Sequence, residues 1–330
     1  MSINMITYHQ IQIQTQFHFK DKLCRYFKSL PFGRYLTDRK IDIDQAVSYE
    51  YDSFTKYLEK GSVFIAINND REIIGLIGFH FSNWDTNIFH KRMAILQYFL
   101  ISENNLVLEK EIAVQLIDVF HNWCKDNIIN VVVAKLNAQY FTPILLLQNN
   151  GYIVYECITF KTLEITQDII SKTQEYTYRY AAESDMEQLK KIALTNTFKK
   201  SHFYLDSNFD LNKVEEMYAR WIENALSTKQ KIVIVEESKQ IAGVFIYDVV
   251  DLSFYFSKKY GVWKFAAVDN KFRDKGIGMK LFKSTLHSCI QDGVDVIDSS
   301  LVEKNLISHR FHDKLGFHLA NTMFTLHKWF

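Results

Sequence analysis

Arg273, Lys275, Gly276 and Gly278 fall between an apolar run that ends at Val268 and a stretch of helical periodicity that starts at Met279. Two glycines at that spacing let consecutive backbone N–H groups converge on one point, with the positive end of the next helix behind them and two cations beside it. That arrangement suits a phosphate; a solvated turn is the plainer account of the same residues. Other candidates carry less on their own. Glu223, Asp251 and Glu303 are carboxylates on a predicted helix or near predicted strand ends, where each could act as a base or simply face water. His202, Phe203, Tyr204 and Trp221 offer aromatic faces that stack on sugars or bases, or that pack in a core. Cys24, Cys124, Cys157 and Cys289 form no CxxC pair, so they read as small hydrophobes in a reduced compartment, and no metal site is expected.

The elements that would position the loop read as a mixed α/β fold. KIVIVEE (231–237), QIAGVFIYDVV (240–250) and the stretch ending KFAAVD (264–269) have strand character. After the loop comes a helix over 279–293, a strand over 294–302, a short helix closing on Gly316, and a last strand. The first half repeats this order: strands over 61–68, 71–82 and 91–102, a helix near 107–126, a strand over 129–137, a helix leading to Gly151, and a strand over 152–165. At the place of the basic loop it has ENNLVLEKE (103–111), acidic and without glycine. The chain therefore reads as two tandem units. Residues 1–170 form a degenerate copy without an anion loop, in which 1–40 can be a helical extension, and 171–330 hold the site.

Composition sets the outer bounds. With 330 residues, 48% hydrophobic and 15% aromatic, the chain can bury two ordinary cores. Its formal charge of +1 gives no electrostatic reason to expect nucleic acid or an anionic membrane as partner. No run approaches the ~20 apolar residues of a membrane span, and the start has no signal-peptide order, so a cytoplasmic location is expected.

Arg273-Asp274-Lys275-Gly276-Ile277-Gly278 after an apolar strand resembles the (Arg/Gln)-x-x-Gly-x-(Gly/Ala) acyl-CoA loop of the GNAT superfamily of N-acetyltransferases. Asn305, a short helix and Leu315-Gly316-Phe317 resemble the later asparagine and "lGF" ending of that family. A narrower resemblance, to bacterial dTDP-fucosamine acetyltransferases, rests on Trp84 to Phe89, Asn149 to Tyr152, Ala182 to Asp185, Ser201-His202-Phe203 and Tyr218 to Asn224. It implies acetylation of the 4-amino group of a nucleotide-linked deoxysugar. The helical run Tyr218–Asn224 also has the spacing of an ordinary packed helix.

The wider resemblance implies tandem GNAT-like mixed sheets, the second splayed to hold acetyl-CoA. The pyrophosphate would meet the N–H groups of Lys275, Gly276, Ile277 and Gly278, continuing to Met279, with Arg273 and Lys275 as local charge. Ala267 and Val268 would border the gap, the Val268 N–H polarising the thioester, and Asn305 would bond the pantetheine. The family tyrosine that protonates the thiolate falls, seven residues after Asn305 and four before Gly316, on His312. Imidazole could give that proton from its charged form. Glu223 is the first candidate for the base; His202, Phe203, Tyr204 and Trp221 would line the acceptor pocket.

Three functions fit these residues: acetylation of an amino-sugar nucleotide, acetyl transfer to another small amine (an amino acid, a polyamine, an antibiotic), or a non-catalytic acyl-CoA sensor or scaffold. All take acetyl-CoA and none needs a metal. The terminal strand, Met323 to Phe330, could pair across a homodimer.

Overall fold

The structure, a computed structural model, describes residues 6–330 apart from 31–32, 34, 37–39, 103–105, 140, 174–175, 195–198 and 229, together with all described side chains except those of 106 and 107. The chain forms two compact units, Met1–Cys157 with Asn321–Phe330, and Ile158–Ala320. Both are mixed α/β.

In the first unit the sheet runs β1 (Thr7–Ile11), β2 (Ser62–Ile67), β3 (Ile73–Phe81), β4 (Met93–Ile101), β5 (Val131–Asn137) and, from Met323, β12 (His318–Trp329). Among the described residues of this unit β4 and β5 are the parallel pair, because the Leu106–Asp126 helix carries the chain back across the sheet between them. One face buries Phe79, Phe99, Leu116, Phe120 and Leu147; the other packs Leu23, Phe27 and Phe54 from the Lys20–Lys28 and Ile43–Tyr57 helices against Ile65 and Leu76. β1 carries almost no apolar alternation, so periodicity does not reveal it. The Pro31-Phe32 end of the predicted extension and the opening of the acidic counterpart loop, 103–105, lie outside the described residues. β12 pairs with β5 from Met323↔Asn137 to Trp329↔Val131, so the strand expected to meet a second copy spends an edge within its own chain.

The second unit begins inside β6 (Ile153–Glu164), whose residues from Ile158 pair with β11 (Val296–Val302). The order then runs β10 (Lys259–Val268), β9 (Gln240–Asp251), β8 (Lys231–Glu237) and β7 (Arg179–Tyr180). Again one pair is parallel, β10 with β11, joined through the Ile277–Gln291 helix. That helix buries Leu281, Phe282 and Cys289 against Phe245, Trp263 and Ile297. On the opposite face the Met186–Leu194 and Leu211–Ser227 helices cover Ile232, Val244, Ile246 and Phe265. The Leu306–Leu315 helix stops at Gly316, whose φ of +87° suits glycine at a left-handed cap.

Candidate active site

β10 and β11 pair for four rungs, from Tyr260↔Val296 to Trp263↔Ser299, and there the ladder ends. Lys264 is an extra residue, a bulge that breaks the register against β9 between Trp263 and Phe265. A bulge adds local twist, and it turns the rest of β10 away from its neighbour. From Phe265 to Val268 the strand follows β9, while Ser300 to Val302 follow β6. Asp269 N–H bonds the Ala242 carbonyl at 2.9 Å, which makes 269 and 242 a hydrogen-bonded pair. By the alternation of an antiparallel ladder, the peptide groups of Ala266 and Val268 then point into the gap.

The loop closes the open end of that gap. Asp269 caps a short turn by accepting from Lys271 N–H at 2.9 Å; Asp274 and Gly276 both take positive φ, 60° and 78°, before the Ile277 helix starts. The first-turn N–H groups of that helix have no intrahelical partner, as at any helix start. Lys275 lays its ammonium 5.6 Å from the centre of the Phe272 ring. Arg273 donates from Nε to the Val268 carbonyl at 3.4 Å. A cavity of about 300 Å³ opens here. Ala267, Val268, Arg273, Gly278 and Asn305 are on its wall, and Gly276 and Ile277 stand in the loop and first turn beside it. Asn305 caps the Leu306 helix through Ser308 N–H at a long 3.5 Å, a weak hold on its amide.

Lys200, Ser308 and Phe311 are among the wall residues that the sequence did not mark. Lys200 reaches the cavity and donates to the Lys304 carbonyl at 3.0 Å; it sits in a stretch without periodicity, so nothing local marks it. Ser308 and Phe311 come from the Leu306 helix, where the i, i+3 spacing from Asn305 was a usable signal.

His312 departs from its expected role. It is 2% exposed, and burial first, then Lys161, pushes its pKa down to about 4. Nδ1 lies 2.7 Å from the Ser308 carbonyl and Nε2 2.8 Å from Ser299 Oγ, so both nitrogens are engaged and the ring is neutral at neutral pH. A charged imidazole ready to give a proton is not what this pocket holds.

The carboxylates also have structural partners. Glu223 pairs with Lys190 on the helix-covered face, Asp251 caps through Ser253 N–H at 2.9 Å, and Glu303 accepts from Thr159 with His309 at 3.6 Å. The expected acceptor residues pack against other aromatic rings of the fold: Phe203 edge-on to Phe209, Tyr204 stacked on Tyr218, Trp221 edge-on to Phe265. His202 is buried with them at 7% exposure. Trp221 thereby touches the first residue beyond the bulge.

With this geometry in hand, residues 178–328 match the family described as acetyltransferase (GNAT) domain. Over these residues the chain is similar to GNAT acetyltransferases. The match covers the loop, the bulged strand and the asparagine helix together, and it supports an acyltransferase. No curated protein sequence matches the chain. Among solved structures, a GCN5-related N-acetyltransferase from Sphaerobacter thermophilus is 12% identical, with TM-score 0.64 over 98% of this chain and 95% of that one. A tandem GNAT protein from the clavulanic acid biosynthesis pathway is 10% identical, with TM-score 0.61 over 98% of both. The GCN5-related glucosamine N-acetyltransferase region of a fungal β-N-acetylglucosaminidase is 11% identical, with TM-score 0.62 over 99% of this chain and 38% of that protein. At such identities the likeness concerns the fold, and it extends over both units. Among the described residues no helix is long and apolar enough to cross a membrane.

Proposed function

We propose that the second unit binds acetyl-CoA in the gap between β10 and β11 and passes the acetyl group to a primary amine of a small molecule, the first unit being a copy that has lost the anion loop. The observation that carries this reading is the parting of the two strands beyond Trp263↔Ser299, with peptide groups turned inward and a basic glycine loop at the open end. An extended amide chain can lie there as an added strand. Its diphosphate would meet the N–H groups from Lys275 to Gly278, with Arg273 and Lys200 on the cavity wall.

In the transfer, the amine nitrogen bonds the thioester carbon, the C–S bond breaks, and a peptide N–H facing the gap, that of Ala266 or Val268, stabilises the oxygen as charge builds. The proton that the amine sheds balances the departing thiolate, so no acid is required from His312. The acceptor is proposed as an amino sugar, on the narrower resemblance of Ser201-His202-Phe203 and Tyr218–Asn224, and the fungal neighbour is a glucosamine N-acetyltransferase region. A second reading, an acyl-CoA sensor without turnover, holds if the thiolate needs a side-chain donor, which the neutral, fully engaged His312 does not supply.

Isothermal titration of acetyl-CoA into the wild type and Gly276→Glu tests the site, because the new carboxylate would stand at the phosphate position. Saturable heat lost in the variant supports it; no heat in the wild type sinks it. Thiol release with a panel of amino sugars, amino acids and polyamines then separates enzyme from sensor.

A further inference from the structure

Both units contain the same parting of strands, and the comparison between them isolates what the second has added. In the first, β4 and β5 also pair for four rungs, from Met93↔Val131 to Leu96↔Ala134, and Gln97 is then bulged as Lys264 is. The rung Leu96–Ala134 therefore corresponds to Trp263–Ser299. The two helices that follow end alike as well: Gly151 at φ +83° with Tyr152 N–H on the Leu147 carbonyl at 3.1 Å, and Gly316 at φ +87° with Phe317 N–H on the His312 carbonyl at 3.0 Å. His312 corresponds to Leu147. Ala134 and Leu147 are fully buried in a single apolar cluster. An alanine and a leucine close this corner of the fold without polar groups; the second unit places a hydrogen-bonded serine and histidine at the same two points, both dehydrated at 4% and 2% exposure.

The bonding of the pair has a direction. A carbonyl only accepts, so Nδ1 of His312 carries the hydrogen toward Ser308. In the neutral ring that burial favours, Nε2 is a lone pair, and the Ser299 hydroxyl donates to it. With its hydrogen committed, Ser299 Oγ can offer only lone pairs.

We infer that Ser299, on the last rung before the strands part, is a hydrogen-bond acceptor for an N–H of the molecule that fills the gap, with His312 as its positioning residue. This rests on the acetyl-CoA reading. The proposed ligands carry two such N–H sources, an amide of the pantetheine arm and the attacking amine, and they separate kinetically. An amide contact is part of donor binding; an amine contact acts on the acceptor and on transfer.

The test installs the first unit's own solution, Ser299→Ala with His312→Leu, beside Ser299→Thr, which keeps the hydroxyl. The double variant should melt close to the wild type. If Ser299 holds the pantetheine amide, its acetyl-CoA Kd rises about tenfold or more; if it holds the amine, Kd stays and kcat/KM for the fastest amine of the panel falls by that factor. Ser299→Thr should restore most of either loss. Double-variant Kd and kcat/KM both within twofold of the wild type overturn the inference and leave the acetyl-CoA reading standing. A wild type without saturable heat overturns both. Independently of how the variants fold, the ¹⁵N spectrum of histidine-labelled protein must show His312 as the Nδ1–H tautomer. A hydrogen on Nε2 would reverse the direction of the pair and end the proposal.

Discussion

The ring of Phe311 lies 2.9 Å from the point where a β-carbon on Gly278 would stand. Gly278 is thus required by a neighbour's approach, whereas Gly276, with nothing within 4 Å of such a carbon, is required by its φ of +78°. Gly278→Val should push Phe311 into the cavity and weaken acetyl-CoA binding about tenfold or more. Adding Phe311→Ala should recover most of that affinity, while Gly276→Ala costs about 1 kcal/mol of stability. Titration and thermal melts of the four proteins check both statements; a double variant as weak as Gly278→Val would show that the clash is not the cause.

His312 makes the fold sensitive to acid. Its folded pKa of about 4 lies below the ordinary value near 6.5, so its contribution is complete above that value and is lost as the pH falls toward 4. Between pH 7 and pH 5 the unfolded chain takes up the proton and the folded one does not, a loss of about 2 kcal/mol. Urea unfolding at the two pH values should show His312→Leu losing less stability than the wild type by about that amount.

Glu223 faces Lys190 rather than the gap. Glu223→Gln should therefore leave kcat/KM within about twofold of the wild type for any amine that is turned over, as is usual for a half-exposed surface pair. A hundredfold fall would return Glu223 to the role of base.

Among the described residues Lys200 donates to the Lys304 carbonyl, and it stands on the same wall as Arg273. Lys200→Ala should raise the acetyl-CoA Kd about tenfold, the scale of one charge-assisted hydrogen bond. The effect should shrink at high salt, since Lys200 is exposed. Equal Kd values at low salt for wild type and variant would remove Lys200 from the site.

Repetition made most of the architecture readable. The strand and helix order of both halves, and the loss of glycine in the first, are local patterns, and the two sheets follow them. What stayed hidden depends on contacts distant in sequence. β10 begins at Lys259, a start that the sequence left open, because the bulge at Lys264 interrupts the alternation by which a strand is recognised. Ser299 looks like any strand residue until His312 is beside it. His312 itself was located by its spacing from Asn305 and Gly316, but its protonation is set by burial and by the partners of its two nitrogens, which spacing does not encode. The aromatic residues from His202 to Trp221 form a packed set, and composition alone cannot tell stacking on a ligand from stacking on one another.

The exchange of strand segments bears on how the protein is made. Asn321–Phe330 belongs to the first unit, yet the ribosome produces it after all of the second. Until then β5 has an open edge where Met323–Trp329 will pair. The second unit, one continuous stretch from Ile158 to Ala320, has every strand it needs before the first is complete. Order of synthesis and order of completion are therefore opposed: the half that emerges first finishes last, and its unpaired edge is exposed to other chains for the whole of that interval.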